Sequence, residues 1–340
     1  MLIRNGMAGT KLTLLLALSV LATACTDHPA PPEAGQEKLA RIGATLFNDP
    51  RLGADGRTSC ATCHAAEHAF TDARPLAVGA FGRVGTRNSL SLIGLTAEGP
   101  QFWDGREIRL SDAVMQPLGN PSEMGHDSVA AAMQRIAELP EYRANFGEHI
   151  QEADVSAALT QYLLQLDVGS SAYERASAQN DFSQLEPAAQ RGLHLFRGKA
   201  QCASCHLPEG TPTFSDERFH HASVGFERIA GNIRSLQERL EAARVSGKPL
   251  GHLILEDADI AELGRFAVTA TPQDMGAFRT PNLRNVARTA PYMHDGSIPT
   301  LEAAIEHELY YRGLASGQPI SLTVEERRDL LAFLHALSTP

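Results

Sequence analysis

The chain has 340 residues, 43% of them hydrophobic and 21% charged, a composition that buries ordinary cores and excludes a disordered or polytopic protein. That length exceeds what one core usually carries and points to two domains. Thirty Lys and Arg against 40 Asp and Glu give a net charge of −10 with no basic cluster, which argues against nucleic acid as a partner, and five cysteines are too few for a disulfide scaffold.

Arg4 and Lys11 precede an apolar run from Leu12 to Ala22, and small residues then lead to Cys25. Residues 1–24 therefore read as a secretory signal, with an apolar stretch well short of the roughly 20 residues of a membrane span. Ala22-Thr23-Ala24-Cys25 resembles a lipobox, which would make Cys25 the lipidated first residue of the mature protein. The same Ala-Thr-Ala is also an acceptable site for ordinary cleavage. The expected location is the periplasm, with anchoring as a lipoprotein through Cys25. Residues 25–36, with Pro29, Pro31 and Pro32, read as a tether. Removing residues 1–24 takes away Arg4 and Lys11 and no acid, moving the net charge from −10 to −12, a surface that steers a cationic partner.

Gly43-Ala44-Thr45-Leu46-Phe47 then precedes Cys60-Ala61-Thr62-Cys63-His64, and Phe70-Thr71-Asp72 follows it. C-x-x-C-H is the attachment signature of c-type haem. Two thiols one helical turn apart form thioethers with the haem vinyl groups, and the adjacent imidazole reaches the iron as its proximal ligand. Apolar residues at three- and four-residue intervals predict helices from Val129 to Leu139 and from Val155 to Leu166.

The same succession returns as Gly192-Leu193-His194-Leu195-Phe196, Cys202-Ala203-Ser204-Cys205-His206 and Phe214-Ser215-Asp216. A Cys₄ zinc site needs no histidine after each pair, and neither do two redox dithiols. The repetition predicts a duplicated cytochrome c unit. The expected fold is mainly α, with two cytochrome c-like domains, residues 37–180 and 181–340, each carrying one covalently bound haem c. Ile229 to Val245 reads as a charged helix, whereas Pro249 to Leu263 carries no motif. Thr323-Val324-Glu325-Glu326 forms a capping box ahead of the apolar stripe Leu330, Leu331, Phe333, Leu334 and Leu337.

Beyond the haem motifs, five further stretches resemble the bacterial dihaem cytochrome c peroxidases and their MauG-type relatives. These are Gly85-Thr86-Arg87-Asn88-Ser89, Phe102-Trp103-Asp104-Gly105-Arg106, Asn120-Pro121-Ser122-Glu123-Met124-Gly125, Phe278 to Val286, and Thr289 to Gly296. The resemblance runs from about residue 37 to the end. It implies a peroxide-reacting haem held by Cys60, Cys63 and His64, and an electron-transfer haem held by Cys202, Cys205 and His206. Trp103 matches the tryptophan between the haems, with a large side chain filling the interface as the alternative. Glu123 matches the distal carboxyl that moves a proton between the peroxide oxygens, although Asn120 to Glu123 also looks like a helix cap. Pro117 matches a residue that keeps the distal face tight. Asn88, Thr289 and Pro291 match residues around a calcium ion, and His294 looks like a residue near the haems with no derivable role.

Two departures from the family pattern bear on function. The segment Pro75 to Gly82 lacks the histidine that caps the peroxidatic iron in many relatives, and His68, one turn past His64, is a poor substitute. The first haem is therefore expected to be open to peroxide in the oxidised state. The helix after His294 lacks the methionine of family peroxidases. Its sixth ligand to the second haem falls on Tyr310 when aligned from the following Arg312-Gly313, with Tyr311 next, or on Glu308 when counted from His294. Met293 and Met275 read as packing residues. The resemblance thus implies a peroxidase that reduces hydrogen peroxide with electrons from a small periplasmic cytochrome c or cupredoxin. The alternatives are a MauG-type oxidation of a partner protein side chain and a non-enzymatic dihaem electron carrier.

Overall fold

Two pairs of helices cross at glycines, and these crossings set the architecture. In the computed structural model, which describes residues 34–207 and 213–340, helix α1 (Ala34–Asn48) begins three residues inside the expected tether. The signal, Cys25 and the rest of the tether lie outside the described residues. Helix α2 (Cys60–Cys63) carries the first cysteine pair, and a bulged hairpin of β1 (Glu98–Gln101) and β2 (Glu107–Arg109) presents the loop containing Trp103. Helices α3 (Leu110–Ala113), α4 (Val129–Glu138), α5 (Pro140–Phe146) and α6 (Glu152–Leu164) complete the first half. The two predicted helices are α4 and α6, and α4 starts where Ser128 Oγ accepts a hydrogen bond from the Ala131 amide.

Where α1 meets α6, a methyl group on Gly43 would lie 2.0 Å from Ala158 O and 2.8 Å from Tyr162 Cβ. In the second half, α8 (Pro187–Arg197) meets the last helix, α15 (Val324–His335), in the same way. A methyl on Gly192 would lie 2.0 Å from Asp329 O and 2.7 Å from Phe333 Cβ. In both cases the clashing carbonyl and the aromatic residue are four positions apart, one helical turn. Phe47 then packs on Tyr162 with ring centroids 5.1 Å apart, and Phe196 packs on Phe333 at 5.0 Å. The capping box of α15 forms as predicted: Thr323 Oγ1 accepts from the Glu326 amide at 3.1 Å, and the Thr323 amide donates to Glu326 Oε2 at 2.7 Å.

The first core gathers Leu46, Phe47, Ile136, Tyr142, Leu159 and their neighbours, and the second gathers Phe196, Phe214, Leu330, Phe333 and Leu337. Each buried aliphatic or aromatic side chain contributes about 1.5–3 kcal/mol. Helix α7 (Ala172–Ala178), expected in the first half, buries Tyr173 and Ala176 in the second core, against Phe214 and Phe333. Helix α7 thus packs with the second core, where the Tyr173 ring finds its aromatic partners.

Strands β3 (Phe219–His221) and β4 (Ala277–Arg279) pair antiparallel and bracket the segment that carried no motif. Between them run α9 (Phe226–Ile229), the predicted charged helix as α10 (Ile233–Val245), α11 (Leu250–Glu256), α12 (Ala258–Ala261) and α13 (Phe266–Thr269). These bury a third core of Ile229, Leu236, Leu240, Ile254, Leu263 and Phe266. The insertion is tied to the first half, with Thr86 Oγ1 donating to Ile254 O at 2.6 Å and the Arg87 guanidinium donating to Ala261 O. Helix α14 (Leu301–Ser316), capped by Thr300, closes the second half. No helix among the described residues is long and apolar enough to cross a membrane.

Candidate active site

The first and second cores each open onto one cavity, about 200 Å³ in the first half and about 220 Å³ in the second, and both linings are mainly apolar. At roughly 24 cal/mol per Å³, linings of this size without partner atoms would cost about 5 kcal/mol each, comparable with the whole stability of many domains. Such cavities are built around a bulky apolar group.

Cys60, Cys63 and His64 line the first cavity, and Cys202, Cys205 and His206 line the second. The two cysteine pairs thus sit apart, which rules out the shared Cys₄ zinc site, and all four are free thiols. Burial pushes Cys60, Cys63 and Cys202 up to about 12. His64 Nδ1 donates to Phe70 O at 3.0 Å, and His206 Nδ1 donates to Phe214 O at 2.9 Å. The repeated phenylalanine is legible in the sequence, but its use is not. Phe70 and Phe214 both take left-handed backbone (φ 60° and 50°), which turns each carbonyl towards its histidine. Fixing Nδ1 as the donor leaves Nε2 as the free lone pair, the arrangement that orients a metal-binding imidazole. Burial holds both histidines below the usual range, so they are neutral, as ligation requires.

An anionic group also has a partner in the first cavity. Arg87 lines it with Nε and Nη1 buried and unpartnered, an acceptor-seeking fork suited to a carboxylate. The paired thiols, the oriented imidazoles, the apolar walls and this arginine together fit a haem with its propionates. Arg87 lies in a stretch that carries the family resemblance, yet nothing local to that stretch announces that its side chain is buried and unpartnered.

Glu123 and Pro117 both line the first cavity. Glu123 does not cap a helix: Asn120 Oδ1 accepts from the Ser122 amide in a turn, and the next helix starts beyond Ser128. One Glu123 oxygen, Oε2, is buried without a hydrogen-bond partner, and burial raises the carboxyl to about 7 against a weaker opposing pull from Arg106. The backbone here is clamped, since the Ala80 amide donates to Glu123 O at 2.8 Å and a methyl on Gly79 would lie 2.4 Å from that same oxygen. Arg106, a further lining residue that the sequence did not single out, lies 3.5 Å above the Phe102 ring. It pairs with fully buried Asp104 at 2.9 Å and donates from Nε to Gln116. His68 is exposed and lines neither cavity.

Trp103 lines both cavities and is buried, with its indole N–H donating to Asn88 O at 2.9 Å. Asn88, Ser89, Leu90, Ser91 and Arg279 are shared by the two linings as well. Thr289, Pro291 and Met293 line the second cavity, while Met275 packs on the third core. The Asn88 amide nitrogen donates to Arg74 O and Pro75 O, leaving Oδ1 as its remaining polar atom. His294 stacks on Phe278 with centroids 3.7 Å apart, and its Nε2 meets Glu262 Oε2 at 2.9 Å, both residues being 2% exposed.

The expected sixth ligand, Tyr310, is corrected by the structure: it is 62% exposed and outside the second cavity. Tyr311 packs on His307 and is also absent from the lining, which instead receives Glu308 and Arg312. Two residues of an α-helix turn a side chain by about 200°, so alignment to the following Arg-Gly selects the wrong face.

Residues 37–181 match the family model for di-haem cytochrome c peroxidase. The chain is 34% identical to the methylamine utilization protein MauG of Methylorubrum extorquens, over 91% of this chain and 80% of that one. It is 30% identical to the cytochrome-c peroxidase IdrP2 of Denitromonas iodatirespirans, over 90% and 83%. Among solved structures, a MauG-like protein associated with microbial copper homeostasis superposes with a TM-score of 0.69 at 30% identity, covering 89% of this chain and 90% of that one. With its two C-x-x-C-H cavities and these relatives, the chain belongs to the dihaem cytochrome c peroxidase and MauG family, whose cofactor is haem c.

Proposed function

We propose that this protein is a periplasmic peroxidase in which hydrogen peroxide is reduced in the first cavity with electrons delivered through the second. The observation that carries the reading is Glu123, a buried carboxyl with an unpartnered oxygen and a proton affinity near neutrality, lining the cavity that His64 lines. In this reading each half is a cytochrome c-like domain, and Cys60, Cys63 and His64, then Cys202, Cys205 and His206, each hold one haem. The haem iron supplies the redox centre at which the peroxide O–O bond is broken; two electrons and two protons convert one peroxide to two waters. Glu123 Oε2 takes the proton from one peroxide oxygen and returns it to the other, which is the relay that bond cleavage needs. Arg106, fixed by Asp104 and Gln116, keeps a positive charge on the same wall. Pro117 limits the room beside Glu123, and Trp103 carries charge between the halves. Asn88, through its remaining Oδ1, with Thr289 and Pro291, is the proposed oxygen set for calcium.

The reductant is a small cytochrome or cupredoxin drawn to the acidic surface, and Cys25 carries a lipid anchor. A MauG-type oxidation of a partner side chain is the second reading, favoured by the absence of histidine from Pro75 to Gly82. Rapid mixing of the fully oxidised protein with hydrogen peroxide tests the open first haem: a high-valent optical species without prior reduction is expected. An oxidised protein that stays unreactive until one electron is added would overturn it. Turnover with a reduced cytochrome or cupredoxin then separates donor oxidation from the second reading.

A further inference from the structure

Helix α14 supplies one wall of the second cavity through Leu301, Ala304, Ile305, Glu308, Leu309 and Arg312. Their spacing of three and four makes a single stripe. Leu301, Ile305 and Leu309 also belong to the second core, so the helix cannot roll to bring Tyr310 inward without removing them. Besides the cysteines and His206, the side chains in this lining best suited to bind haem iron are His220, Tyr292, Met293, His294 and Glu308. Four of these have partners: His220 Nε2 with Asp216 at 2.8 Å, the Tyr292 hydroxyl with Val286 O at 2.9 Å, His294 Nε2 with Glu262, and Glu308, whose bond to Arg312 uses Oε2 and leaves Oε1 to bind a further group. Glu308 and Arg312 pair at 3.2 Å, which offsets the cost of bringing a carboxylate to a mainly apolar wall.

We infer that Glu308 is the sixth ligand of the second haem iron, an anionic carboxylate oxygen positioned by Arg312. The inference rests on the reading that the second cavity holds a haem, which a count of two haems per chain tests separately. A hard anionic oxygen favours the oxidised iron over the reduced one, where a neutral thioether does the reverse. The second haem then has a low potential, and the donor that reduces it is of a correspondingly low-potential class.

The experiment uses the intact protein with both haems attached, reading the optical and EPR spectra of the oxidised form and the two midpoint potentials. The native spectrum is expected to show no iron–thioether band. Glu308→Gln should favour reduction of the second haem at least tenfold. Glu308→Met should favour it about a hundredfold, roughly 120 mV at 59 mV per decade for one electron, and add a thioether band, with the first haem's midpoint unmoved. Arg312→Leu should alter the EPR signal of the second haem, and Arg312→Lys should restore it. A native thioether band that disappears in Met293→Leu overturns the assignment without need of any Glu308 variant. So do Glu308→Gln and Glu308→Met proteins whose second midpoint and spectrum match the wild type. A chain carrying one haem overturns the underlying two-haem reading instead.

Discussion

Glu123→Gln should make the protein both more stable and far less reactive, and the two effects share one cause. Burial holds the carboxyl at about 7 against an ordinary value of 4.5. Below pH 4.5 it is protonated in both the folded and the unfolded chain and contributes no difference. As pH rises through 4.5 the unfolded chain releases the proton while the folded protein keeps it, so folding is progressively penalised until about pH 7. Above that the penalty is constant at about 3 kcal/mol, taking 1.36 kcal/mol per unit. A glutamine cannot ionise and escapes it. With an unfolding entropy of about 2.1 cal/mol/K per residue over some 300 residues, 3 kcal/mol corresponds to roughly 5 °C. Thermal unfolding of the haem-loaded variant should therefore match wild type near pH 4.5 and exceed it by about 5 °C at pH 8. In stopped-flow mixing with peroxide, wild type should quicken as pH rises through about 7, because the relay starts from the carboxylate. The variant should lose about 10²–10⁴-fold and the pH limb with it. A variant less stable than wild type at pH 8, or one reacting within fivefold of it, would refute the reasoning.

Trp103→Phe should keep both haems attached while slowing electron transfer between them, read as the lag between first-haem oxidation and second-haem response; an unchanged lag assigns Trp103 to packing alone. Gly43→Ala and Gly192→Ala place a methyl 2.0 Å from a backbone carbonyl at the two equivalent crossings. Each should cost about 3 kcal/mol or more, the upper end for overpacking, and denaturant titrations showing under 1 kcal/mol would mean the helices separate freely. Arg87→Leu removes the proposed partner of a first-haem propionate, so the first midpoint should shift while the second stays; a shift in neither would detach Arg87 from that role.

The parts of this architecture that were legible are those whose physics is local. C-x-x-C-H needs five consecutive residues, Thr323 to Glu326 caps its own helix, and the two Gly-to-Phe segments repeat because one helix crossing is built twice. What the sequence hid depends on distant partners. The span from Pro249 to Leu263 has no motif because its order comes from the third core and from bonds to Thr86 and Arg87. Tyr173 looks like the end of the first half until its aromatic neighbours at 214 and 333 are known. Tyr310 lies outside the second cavity and Glu308, two residues and about half a helical turn earlier, lines it, and only the packing of Ile305 and Leu309 into the second core fixes which half faces inward.

The short stretch from Asn88 to Ser91, together with Trp103 and Arg279, is a party wall: each of its faces belongs to a different tenant. A substitution of Ser89 or Ser91 by a larger residue cannot be fitted to one chamber alone. Its effects on the two sites should be non-additive with changes in either half, as expected for residues that share neighbours. A substitution in this wall should therefore register in the spectra of both chambers, and neither chamber can be reshaped along the shared boundary without touching the other.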